Sequence, residues 1–265
     1  MIKVLTTLLI LLLCLCKLTS IAQDSTIKKP GYIIIVDRSE IVTMDQVNRY
    51  AEKGLMKAMD KGVSEKDWKE LSGKFGKAIG DDPLFVILIS LYTPEEKREL
   101  DKHPPSTQPL PVKEDAGYLL NINDTAGDFT VKMIDGSELR LSDLRGKVVL
   151  LNFWATWCAP CIMEFHEIPD KILKPFDGKD FVFLPIAMGE SIDVARAGMQ
   201  KLNKKGIVFN SGYDPSKTIF GKYANASIPK NFLIDKDGVI RFVSTGNAEG
   251  RVDEIAREIQ KLLGN

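Results

Sequence analysis

A charge excess is missing from this 265-residue sequence: 36 Lys and Arg balance 36 Asp and Glu, and the pI is near 6.8. With no basic surplus to neutralise a run of phosphates, a general nucleic-acid binder is excluded. Histidine is almost absent, with only His103 and His166. Cysteine is scarce as well: Cys14, Cys16, Cys158 and Cys161 are the full set. A secreted scaffold stapled by disulfides would carry more. What is present is a composition 44% hydrophobic and 27% charged, that of a folded chain able to bury a core rather than of a disordered one.

The N-terminus lacks a full membrane span. The apolar run Val4 to Cys16 is thirteen residues long, against the roughly 20 that crossing a bilayer requires. Lys3 before it, Lys17 after it and the small residues Ser20 and Ala22 read as a secretory signal peptide over 1–22, cut after Ala22. A lipoprotein signal is one rival, since Cys14 and Cys16 lie near its usual place, although leucine precedes each of them. An uncleaved short anchor is the other. Cleavage after Ala22 leaves Cys158 and Cys161 as the cysteines of the mature chain, and a pair so isolated is there for chemistry.

Residues 23–92 read as a small α/β domain. Tyr32 to Val36 is a β-branched strand. Thr43 with Gln46 is a capping-box pattern that opens a helix carrying Val47, Tyr50, Ala51, Leu55 and Ala58, ended by Gly62. Ser64 with Asp67 opens a second helix, and Leu84 to Leu91 is again strand-like. With no cysteine, histidine or phosphate-binding glycine loop from Tyr32 to Leu91, this part is expected to dock or present a partner, or to act as a spacer. Residues 93–115 contain Pro94, Pro104, Pro105, Pro109 and Pro111 and read as a semi-rigid linker; a short helical piece over Glu95 to Leu100 is compatible with that.

Residues 116–265 alternate. Phe129–Met133 and Glu138–Leu141 flank the hairpin turn Asp135-Gly136. Val148–Trp154 is nearly all apolar, as a strand buried on both faces should be. A helix follows near Cys158, then a strand at Phe181–Met188, a helix at Ile192–Leu202 and a short helix within Pro215–Tyr223. Strands at Asn231–Asp235 and Val239–Ser244 are joined by Asp237-Gly238, and an amphipathic helix at Arg251–Leu263 ends the chain. The order βαβα then ββα predicts an α/β fold, a mixed sheet with helices on both faces.

Trp157-Cys158-Ala159-Pro160-Cys161 comes off the buried strand and opens a helix. Cysteines at i and i+3 across such a turn lie within disulfide reach. The first sits where free N–H groups and the helix dipole favour a thiolate, and the second lies one turn in and more buried. That asymmetry is what thiol–disulfide exchange requires. Other readings fit less well. Structural zinc needs about four ligands, and haem attachment needs histidine where Ile162 stands. A purely structural disulfide over so small a loop stabilises little. A peroxidase would want Pro and Thr where Leu151 and Ala155 stand.

Phe153 to Cys161, followed by Ser227-Ile228-Pro229 and Phe232 to Gly238, resembles the TlpA/ResA type of thioredoxin-like thiol–disulfide oxidoreductases. Asp128-Phe129 and Leu141 with Leu144 to Lys147 match as well. The resemblance covers about 117–263 and not the first third. It implies a bacterial, thioredoxin-like redox domain in which Cys158 attacks and Cys161 resolves through a Cys158–Cys161 disulfide. It also implies that Pro229 is a cis-proline beside the dithiol, that Ile228 pairs with a substrate strand, and that Trp157 and Pro160 flank the site. Glu164, one helical turn beyond Cys161, is then the carboxylate that takes the Cys161 proton, because Asn152 stands where cytosolic thioredoxin has a titratable aspartate. Lys230, where relatives commonly have threonine, is expected to favour an acidic or polar partner. His166, where many have proline, is read as a packing or surface residue, with the helix kink displaced toward Pro169. Ala159-Pro160 brings no positive charge, so the potential is expected nearer about −270 mV than about −120 mV.

The implied partners are disulfide-containing exported proteins and a membrane electron donor; the implied place is the periplasm or beyond it. No cofactor and no metal are called for, and Asp235 to Gly238 reads as a hairpin rather than a calcium loop. A non-enzymatic binding module on the thioredoxin groove is the remaining alternative, alongside a peroxiredoxin-like peroxidase.

Overall fold

A computed structural model describes residues 29–102 and 117–264; the expected signal peptide over 1–22 and the proline-rich stretch 103–115 lie outside them. The described chain forms two sheets.

The first sheet is built by residues 33–91. Strand β1 is Ile33–Val36 and β2 is Glu40–Val42. Helix α1, Met44–Glu52, starts at the expected capping box: Thr43 accepts the Gln46 N–H at 3.4 Å, and the Gln46 carboxamide oxygen accepts the Thr43 N–H at 2.8 Å. The helix then stops short of the expected Gly62, because Gly54 takes a left-handed φ of +60°. Met56–Lys61 becomes strand β3 instead. It was illegible because nearly all of it is exposed, leaving no apolar alternation to read. Helix α2, Glu65–Phe75, is capped by Ser64, and β4 is Val86–Leu91. The order is β2-β1-β4-β3, with β1 and β4 parallel.

The stretch read as linker from 93 opens with a helix around the 95–100 piece, as its sequence allowed. Pro94–Lys102 is helix α3. Pro94 stands at the first helical position, where its missing N–H costs nothing. The Thr93 hydroxyl accepts the Glu96 N–H at 3.2 Å, and Lys57 pairs with Glu96. The expected boundary at 92 therefore leaves out of the first unit a helix that is tied back to β3.

The second sheet has the order β11-β10-β7-β8-β9-β5-β6. Strands β5 (Thr130–Met133) and β6 (Glu138–Arg140) form the expected hairpin, with Gly136 at φ +93°. Strand β7, Val148–Trp154, is buried at every residue and pairs in parallel with β8, Phe181–Met188. Helix α4, Ala159–Phe165, follows β7, and α5, Ile192–Asn203, follows β8. Strand β9, Gly212–Asp214, had no legible signal in three residues. The helix expected within 215–223 shrinks to α6, Phe220–Tyr223. Strands β10 (Lys230–Ile234) and β11 (Ile240–Thr245) and helix α7 (Arg251–Gly264) complete the fold. Apolar layers cover both faces, one including Trp154, Phe165 and Ile255, the other Phe153, Tyr223 and Phe232.

The two sheets touch. Phe85, 4% exposed, belongs to the same buried cluster as Trp154, Ile162 and Phe165, and Tyr32 and Leu84 pack against that cluster. Burying one such ring contributes roughly 1.5–3 kcal/mol. Lys205 pairs with Asp82 at 3.2 Å at the edge of this contact, and Lys29 pairs with Glu167.

Candidate active site

The site grows from the end of β7. After Trp154 the chain turns, and Cys158 becomes the N-cap of α4, its sulfur accepting the Cys161 N–H at 3.3 Å. Cys158 and Cys161 are joined in a disulfide, with Cα atoms 5.3 Å apart. The expected difference in exposure is small: Cys158 is 4% exposed and Cys161 0%. Trp157 is the exposed member of the turn, at 60%, and Pro160 is half-buried.

The turn is clamped from behind by a residue that no sequence pattern singles out. Glu190, buried in the loop after β8, accepts the Thr156 N–H on both carboxylate oxygens at 3.1 Å and the Thr156 hydroxyl at 2.5 Å. A carboxylate anchoring a backbone N–H and a hydroxyl at once holds the segment two residues before Cys158 in one geometry.

Ile228–Pro229 is a cis peptide bond. Pro229 is buried and leads into β10, which pairs Lys230 with Phe153 and Asn231 with Asn152. This antiparallel register brings Pro229 level with the end of β7, where the cysteine turn begins. Ile228 is half-buried and packs against both apolar layers.

Beneath the disulfide lies a buried polar cluster. Glu164 is 0% exposed, one turn beyond Cys161 on α4. The Asn152 amide donates to Glu164 Oε1 at 2.7 Å and to Asn231 Oδ1 at 2.8 Å, while the Asn231 amide donates to both Glu164 oxygens at 3.2 Å. Burial dominates over these donors and pushes the Glu164 carboxyl up to about 8. Glu164 is therefore a proton-holding group at neutral pH. Asn231 carries a faint sequence signal: Asn152 and Asn231 are polar residues within largely apolar strands, and the register pairs them.

Two further expectations resolve here. His166 is a packing residue, 4% exposed, its Nδ1 2.8 Å from the Ile162 carbonyl, and burial holds its pKa down. The helix break falls just after it, where Pro169–Leu173 forms a single π-helical turn. Lys230, by contrast, does not reach out to a partner. It is fully buried, donating to Thr245 Oγ1 at 2.8 Å and lying 4.4 Å from the Tyr118 ring centre. Its ammonium lies against Thr245 of β11 and the Tyr118 ring, so a partner-facing role is corrected. Among the described residues no group of three His, Cys, Asp or Glu converges as metal ligands, and no helix is long and apolar enough to cross a membrane.

Comparison with known proteins agrees with this geometry. The AhpC/TSA family matches residues 122–243. The thiol-disulfide oxidoreductase ResA of Geobacillus thermodenitrificans is 35% identical over 127 residues, covering 47% of this chain and 70% of that protein. ResA of Geobacillus kaustophilus is 33% identical over 143 residues, covering 53% and 78%. A solution structure from Bacteroides thetaiotaomicron, provisionally described as a protein disulfide isomerase, superposes with a TM-score of 0.53 at 36% identity, covering 56% of this chain and 94% of that one. With a disulfide closing the helix after its central strand and matches to ResA proteins over most of their length, the chain belongs to the ResA family of thioredoxin-like thiol–disulfide oxidoreductases.

Proposed function

We propose that this enzyme works outside the cytoplasm, reducing or exchanging disulfides in exported proteins through Cys158 and Cys161. The Cys158 thiolate attacks one sulfur of a substrate disulfide, forming a mixed disulfide and releasing one substrate thiolate, which takes up a proton. The Cys161 thiol then gives its proton to Glu164 in its ionised form, a minor fraction at neutral pH that grows toward pH 8, and attacks Cys158 Sγ. That step releases the second substrate thiolate and closes the Cys158–Cys161 disulfide. The substrate gains two electrons and the enzyme loses two, so a dithiol donor must reduce the pair again; a membrane protein is the donor this location implies.

The observation that carries the reading is a redox disulfide with a buried, proton-holding carboxyl one turn below its inner sulfur. Trp157, Pro160, Ile228 and Pro229 are proposed to border the disulfide and to meet the substrate. The basic and short apolar N-terminus supports export. The first unit, through α3, is proposed as a separate module docked on the redox domain. A peroxidase reading is not adopted despite the AhpC/TSA match, since Leu151 and Ala155 replace the Pro and Thr that peroxide activation would use.

The test is insulin reduction in the presence of dithiothreitol. Wild type is expected to accelerate precipitation and Cys158→Ser to match the uncatalysed rate, while Cys161→Ala accumulates mixed disulfides on Cys158. Equal rates for wild type and Cys158→Ser would refute the assignment. Sequencing the N-terminus of the exported protein checks cleavage after Ala22.

A further inference from the structure

A cleft of about 520 Å³ opens beside the cysteine turn and is walled by both sheets' units. Trp157 and Ile162 form one side, Val194 and Gly198 of α5 another, and Leu84 of the first unit closes it. Its size is that of sites that enclose small ligands, about 300–1,000 Å³. Trp157 and Val194 expose 60% and 45% of their surface, an unusual allowance for large apolar side chains so close together.

The cleft is built rather than accidental. Leu84 cannot drift, because its neighbour Phe85 is sunk in the core shared with the redox domain and the Leu84 N–H is held by Asp82 at 3.1 Å. Asp82 in turn pairs with Lys205 at the end of α5. On the other side, Gly198 lets α5 approach the turn: a Cβ there would fall 2.4 Å from the Thr156 methyl. Glycine inside a helix is less favourable than alanine, so the close approach comes at the expense of helix stability.

The geometry points to this cleft as a substrate-anchoring site that takes a large apolar side chain flanking the reactive cystine of the polypeptide substrate, with Lys201 at its mouth meeting a neighbouring carboxylate. The occupant follows from continuity with the active site, and so rests on Cys158 being the attacking sulfur. A disulfide that reaches Cys158 brings its flanking residues past Trp157, the residue immediately before it, and Trp157 is a wall of the cleft. Charge narrows the choice. Of the charges around the cleft, Asp82 is paired with Lys205 and Asp193 with Arg196, whereas Lys201 has no ion pair among the described residues. The first unit thereby selects substrates, supplying one wall of a site whose chemistry lies wholly in the other unit.

The test uses the full chain and short disulfide-linked fluorogenic peptides that carry phenylalanine or glycine beside the cysteine, each with aspartate or lysine one residue further on. Wild type is expected to favour phenylalanine over glycine by roughly tenfold, the scale of apolar pocket discrimination. Filling the cleft with Leu84→Trp should collapse that ratio toward one. Lys201→Glu should turn a preference for aspartate into one for lysine by several-fold, and it is a surface change that leaves folding intact. Ratios unmoved by both variants would overturn the proposal. A second copy of the chain seated in the cleft would overturn it too, and would appear as a concentration-dependent dimer that Leu84→Trp dissociates. The catalytic reading is separately exposed: exchange with the glycine peptide that survives Cys158→Ser would refute that reading, whereas its loss together with unmoved ratios would refute only the cleft.

Discussion

Replacing Glu164 with glutamine removes a titration that the fold makes expensive. Burial raises the folded-state pKa from 4.5 to about 8. Between those values the folded chain holds a proton that the unfolded chain has released, so stability falls as pH rises through the window and levels off above about 8. At 1.36 kcal/mol per unit the full penalty is on the order of 5 kcal/mol, most of which develops between pH 5 and pH 8. Glutamine does not titrate, so Glu164→Gln should lack this slope. Its amide still accepts from Asn152, and the shape is kept. The assay is urea unfolding of the oxidised protein at pH 5, 6, 7, 8 and 9, with the disulfide intact so that the cysteines contribute no titration. The stability of wild type minus that of Glu164→Gln should drop by roughly 3–4 kcal/mol from pH 5 to pH 8. A difference that stays flat within about 1 kcal/mol would show that Glu164 ionises without penalty, and the proton-holding role would fail with it. In exchange kinetics the same variant should slow resolution of the mixed disulfide near neutral pH while leaving its formation largely intact.

Asn231→Ala removes a donor that favours the Glu164 carboxylate, so the pH midpoint for resolution should move up; a midpoint unchanged or lowered, measured by rapid-quench alkylation, counts against the cluster. Phe85→Ala should cost about 3–5 kcal/mol in urea unfolding, and loss should register in the redox domain's tryptophan fluorescence; a cost below about 1 kcal/mol would mean the ring is not part of the shared core. Gly198→Ala should destabilise by about 1–3 kcal/mol through the clash with Thr156, and an unchanged or raised melting temperature would refute the close approach.

The cysteine pair and the buried strand before it were legible in the chain because each rests on local spacing, whereas Pro229 and the role of Glu164 were implied by the family resemblance. A period of two or 3.6 residues, a capping box at Thr43 and Gln46, or an i to i+3 relation is carried by neighbours in sequence. The strand β3 was not legible, since an exposed edge strand has no alternation and its pairing with β4 is set by the partner. Residues acting across long separations were equally silent. Glu190 reaches Thr156 from 34 positions away, and Asn231 reaches Glu164 from 67. Lys230 followed the cis-proline in sequence, but only packing decided that it turns inward. Phe85 looked like one more residue of an isolated small core, and tertiary contact made it part of the redox domain's core. The sequence by itself determined the chemistry, because a thiol pair at the start of a helix is a local object. The tertiary structure decided the environment: how deeply Glu164 is buried, what holds the turn, and which surface stands beside the sulfur, since desolvation and packing depend on chain segments that meet only in space.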